Sequence, residues 1–122
     1  MAYSPIKDFS NHFRVLVERQ LPEDPRILIP RDGPDMMILA TWRLGAAPSR
    51  PHKRSRMLRI VISEEALEDY ARGSDGVRLA SDERFVAWLQ RGLKDFDPNH
   101  ESPLGVEPPA VTWPVSTLDL NG

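Results

Sequence analysis

Cysteine is absent from this chain of 122 residues. That excludes a disulfide framework and thiolate zinc sites, and it fits a reducing compartment. Long apolar runs are missing too: no stretch approaches the ~18 consecutive apolar residues that a membrane-spanning helix requires. Residues 1–10 lack the basic start and apolar run of a secretory signal. These absences set the expectation of a cytoplasmic protein without membrane contact. The seven glycines are dispersed, so no loop gathers them into a phosphate cradle. Acidic residues are missing over one long interval, with none between Asp35 and Glu64.

That interval holds Arg43, Arg50, Lys53, Arg54, Arg56 and Arg59, a segment of charge +6. The other 10 basic and all 18 acidic residues leave the rest of the chain at −8, so a net charge of −2 conceals a basic segment in an acidic body. Such segregation suits an anionic partner or the acidic face of a second copy. Arg50, Lys53, Arg54, Arg56 and Arg59 are therefore the candidate contact residues for a partner or polyanion. Ser49 and Ser55 would add hydroxyl donors toward phosphate oxygens. No aromatic residue interleaves with these cations, which removes the stacking platform of a single-strand binder. The structural alternative is a solvated hairpin tip whose arginines pair with acids such as Glu64, Glu65 and Glu68.

The length gives one domain, able to bury about 65% of its unfolded surface in a core without metal or disulfide support. The 40% apolar and 28% charged content is that of an ordinary globular chain. Twelve prolines punctuate it. Ser4-Pro5 opens a helix, in which Ile6, Phe9, Phe13, Leu16 and Val17 recur at helical spacing until Pro22 forces an end near Gln20. Arg26-Ile27-Leu28-Ile29 reads as a strand, placed at a sheet edge by its flanking prolines. The Asp32-Gly33 turn leads to a second strand over residues 36–44, and a loop over 45–53 leads to a third alternating strand from Arg54. Ser63 caps a helix that stops at Gly73, and Ser81 caps another carrying Phe85, Trp88, Leu89, Leu93 and Phe96. After Asp97-Pro98 a proline-rich tail follows.

The expected fold is α+β, a two-layer sandwich: an N-terminal helix, a three-stranded antiparallel meander, two C-terminal helices and an extended tail. Residues 1–97 form the domain and 98–122 the tail, whose Val111-Thr112-Trp113 could dock as an edge strand next to Pro114. The order of helix, three strands and helix is similar to that of double-stranded RNA-binding domains. Those need a basic start to the second helix. Ser63-Glu64-Glu65 would repel phosphate there, so the assignment is rejected.

No chemistry-bearing constellation emerges. His12, His52 and His100 are scattered without metal-ligand spacing, the loop Asp97-Pro98-Asn99-His100-Glu101 matches no calcium pattern, and no nucleophile elbow is present. The reading leans away from an enzyme and assigns no metal or cofactor. The second strand is apolar on both faces, with Met37, Leu39 and Thr41 alternating against Met36, Ile38, Ala40 and Trp42. Something must cover the outer face. Met37, Trp42 and Trp113 mark the expected dimer or tail-docking surface. The sequence thus points to a non-enzymatic protein-interaction or accessory module, a homodimer through its sheet, with a polyanion binder acting through residues 50–59 as the alternative.

Overall fold

The computed structural model describes residues 5–30, 33–43, 55–96 and 110–121. Helix α1 (Pro5–Glu18) turns Phe13 and Val17 fully inward and ends in tightened turns, Gln20 N–H to Val17 O and Leu21 N–H to Glu18 O, ahead of Pro22. Strands β1 (Glu23–Leu28) and β2 (Met36–Arg43) pair antiparallel, with Ile27 opposite Ala40 and Leu28 opposite Leu39. Strand β3 (Leu58–Ile62) continues the antiparallel order, placing Leu39 opposite Arg59 and Met37 opposite Val61. Ser55 locks the base of this second hairpin: its N–H donates to Trp42 O at 2.8 Å and its Oγ accepts from Trp42 N–H at 3.0 Å.

Helix α2 (Glu64–Arg72) starts on two acceptors. Ser63 Oγ takes the Ala66 N–H at 3.2 Å and Asp35 Oδ1, from the turn before β2, takes the Glu64 N–H at 2.9 Å. Two orphan donors of the first turn are thereby satisfied. Helix α3 (Asp75–Asp95) follows after Gly73.

The α+β class holds, and four details differ from the expected layout. The sheet has four strands in the order β1-β2-β3-β4, because β4 (Val111–Val115) adds beside β3, with Ile60 opposite Trp113. This pair is parallel, so the sheet is mixed and not a meander. Parallel neighbours need a long crossover, and α2 and α3 lie in that connection. The residues after β4 are not extended: α4 (Thr117–Asn121) forms, begun by a reciprocal Ser116–Asp119 pair in which Asp119 N–H donates to Ser116 Oγ at 3.2 Å and Ser116 N–H donates to Asp119 Oδ2 at 3.0 Å. Finally, α3 begins six residues before Ser81. Ser74 is its cap, accepting the Val77 N–H at 3.3 Å, while Ser81 is fully buried and donates to Asn121 Oδ1 at 3.4 Å. Its small side chain serves the contact between α3 and α4.

One core results. Met36, Ile38, Ala40 and Trp42 of β2, Leu58, Ile60 and Ile62 of β3 and Val115 of β4 point to the same side, where Phe13, Val17, Leu67, Phe85, Leu89 and Leu120 meet them. All four helices therefore lie on one face of the sheet.

Candidate functional site

The opposite face of the sheet is left without a covering element among the described residues. Strand alternation places there Leu28 of β1, Met37 and Leu39 of β2, Val61 of β3 and Pro114 of β4. Leu28 is 61% exposed and Met57, just before β3, 38% exposed, while Met37, Leu39 and Val61 are half-buried by their neighbours. A row of apolar side chains thus runs across all four strands.

Charges frame that row. At its β1 end Asp24 stands 3.9 Å from Arg26 and 3.6 Å from Arg43, one carboxylate shared by two guanidiniums. Two further charges on this side form no ion pair among the described residues. Arg59 lies in the middle of the face between Leu39 and Thr112, its Nε buried with no hydrogen-bond partner. Glu23, opposite Arg43, is exposed. Neither has an ion-pair partner among the described residues. Two strand spacings and four residues along the strand separate them, about 16 Å, too far to pair within one chain.

The edges of the sheet are poorly suited to strand addition. On β4, Thr112 and Pro114 occupy the outward register, and proline offers no N–H. On β1, Pro25, a register irregularity between Glu23 and Arg26, and Asp24 at φ 48° interrupt the ladder. Arg14 of α1 also donates to Ile27 O at 2.9 Å, occupying a β1 carbonyl. These features favour contact through the face over strand addition at an edge.

The sequence-derived candidates fall in different places. Arg50, Lys53 and Arg54 lie outside the described residues. Arg56 stands on the helix side, its guanidinium 5.9 Å over the Phe96 ring, whereas Arg59 is on the outer face. The structure does not bring these two together. Met37 is on the outer face. Trp42 is 3% exposed and packs inward on Phe96 at 5.7 Å, so it forms no part of that face. Trp113 also points to the helix side, half-buried against Trp88 at 5.9 Å and Phe96 at 5.5 Å. Trp88, on the apolar stripe of α3, is half-buried against the core and borders the surface there.

Sequence reasoning missed a polar junction of three helices. Asp82 of α3 accepts from His12 Nε2 of α1 at 2.9 Å and from the Tyr70 hydroxyl of α2 at 2.8 Å. It sits in a cleft of about 510 Å³ with Phe9, Arg78, Asp75 and Leu79. Burial first, then the hydrogen bond to Asp82 and its charge, hold the Tyr70 phenol well above its ordinary pKa, with Arg78 pulling weakly the other way. Arg78 is committed to carbonyls at the end of α2, donating to Gly73 O at 3.0 Å, and covers the Phe9 ring at 5.7 Å. The phenol proton is directed at Asp82. The cluster ties helices together; its members stand 58 and 12 residues apart in the chain, and no local spacing announces them. Among the described residues no group of His, Asp and Glu could hold a metal ion, and no helix is long and apolar enough to cross a membrane.

No family model matches this chain, and neither the curated proteins nor the solved structures contain a match to it.

Proposed function

We propose that this protein is a non-enzymatic protein-interaction module that works as a homodimer, two copies meeting through their open sheet faces. The observation that supports it is the bare apolar row from Leu28 to Pro114 on a sheet whose helices all lie on the other side. Apolar area of this kind is stabilised by removal from water, at roughly 25 cal/mol per Å². Charge argues for a second copy as the occupant. A two-fold axis passing between Glu23 and Arg59 sets each against the other's counterpart, twice per dimer, and gives both unpaired charges a partner. Edges poorly suited to strand addition favour contact through the face.

The polyanion reading is less well supported. Phosphate binding needs cations that converge, and Arg56 and Arg59 leave the sheet on opposite sides.

The chain's lack of cysteine provides the test. Single cysteines placed at Leu39, Val61 and Thr112 report on the open face, and one at Arg84 reports on the helix side. Mild oxidation is expected to link copies through one or more of the face positions and not through position 84. Cross-linking at position 84 alone, or at none, overturns the reading.

A further inference from the structure

Beside the β4 edge, α3 and β4 enclose a groove of about 410 Å³ lined by Trp88, Arg91, Gly92, Trp113 and Pro114. Its floor depends on a glycine. A Cβ at Gly92 would stand 2.7 Å from the Trp113 ring, so only glycine lets that indole lie against the helix. Trp88 meets Trp113 edge to face at an interplanar angle of 86°. The lining is thus two tryptophan rings set at right angles, a proline ring and a guanidinium.

The hydrogen-bonding character of this groove is one-sided. Neither indole N–H has a hydrogen-bond partner among the described residues, and neither is a buried unpaired atom, so both reach water. Arg91 is exposed and has no ion-pair partner among the described residues. The side chains therefore offer donors and π faces, and no acceptor. Indole N–H groups at a surface ordinarily find an acceptor when a ligand covers them. A ligand that fits has apolar rings, carbonyl acceptors and few N–H donors of its own. Proline-rich peptide in the polyproline II form has that character: its rings stack on aromatic side chains and its carbonyls point outward. The uncompensated Arg91 selects a carboxylate next to the prolines.

We infer that the Trp88–Trp113 groove is a docking site for an acid-flanked, proline-rich peptide segment of a partner protein. The inference rests on Trp88, Arg91 and Trp113 of the groove and does not require the dimer, although Pro114 borders both the groove and the open face.

The chain has three tryptophans, and Trp42, buried in the core, is an internal control. The ¹⁵N-labelled protein is titrated with the peptide acetyl-Pro-Pro-Leu-Pro-Pro-Glu-Glu-amide and with a version carrying alanine for each proline. The expected result is movement of the Trp88 and Trp113 indole N–H resonances, saturating with the proline peptide, while Trp42 stays in place. Arg91→Glu, on an exposed side chain, is expected to weaken binding about fivefold, the effect of a rim charge pair. The unmoved Trp42 resonance in that variant shows that the fold is intact. No movement of either surface indole at millimolar peptide overturns the inference, and so does equal movement with the alanine peptide.

Discussion

At the residue scale, Asp82 joins α1, α2 and α3 through two accepted hydrogen bonds, and its side chain is only 14% exposed. Replacing it by alanine strands the Tyr70 hydroxyl in a buried setting. The expected cost in urea unfolding is about 1–3 kcal/mol, the usual penalty for an orphaned buried donor. Tyr70 adds a pH dependence whose sign follows from its raised pKa. The unfolded phenol ionises near the ordinary value of 10.0, while the folded one keeps its proton to higher pH. Its contribution is therefore fully present below pH 10 and is lost as pH rises above it, at up to ~1.4 kcal/mol per pH unit. Urea unfolding of Tyr70→Phe measured beside the parent on both sides of that pH should show a shallower alkaline loss. An identical loss in the two proteins would contradict the hydrogen-bonded, buried phenol.

At the scale of elements, capping and close approach decide the layout. Ser74→Ala removes the N-cap of α3 and should cost about 1 kcal/mol of stability. Ser81, which looks like the better cap in sequence, lies two turns inside the helix. Asp82 and Glu83 after it imitate an acidic first turn, and Gly76 weakens the helical pattern ahead of it, so local signals pointed to the wrong serine. The α1 and α2 spans were legible because apolar spacing, caps and terminal Pro22 or Gly73 agree. β4 was legible only as a strand able to dock. Its partner and parallel direction depend on the crossover through α2 and α3, a non-local choice. Besides its ladder with β3, a close contact of β4 with α3 is Gly92 beneath Trp113. Gly92→Ala would drive a methyl group into the indole and is expected to destabilise the fold by about 1–3 kcal/mol. Thermal unfolding measures this loss, and solvent-like Trp113 fluorescence should accompany it.

At the scale of the whole molecule, layering decides what the protein can do. The helices cover one face of a four-stranded sheet and the edges are blunted by Pro114, the β1 irregularity and Arg14. The apolar alternation of β2 made an open face legible in the sequence, since both sets of side chains cannot enter one core. The charge segregation was legible as well. Its consequence was not, because side chains an odd number of residues apart leave an extended chain on opposite sides: Arg56 stacks on Phe96, whereas Arg59 lies on the other side of the sheet with its Nε lacking a hydrogen-bond partner. In the proposed dimer, reciprocal charge would be a determinant of affinity. Arg59→Glu and Glu23→Arg should each weaken the dimer, and the double exchange should restore much of it, with a coupling of about 0.5–3 kcal/mol in sedimentation equilibrium.

The most direct test of the account is sedimentation velocity of the unaltered protein from low micromolar to near-millimolar concentration, at moderate and high salt, alongside Leu39→Lys. Burial of an apolar face predicts a dimer that persists in high salt and becomes a folded monomer on Leu39→Lys. A parent protein that stays monomeric throughout, or a dimer indifferent to Leu39→Lys, would contradict it.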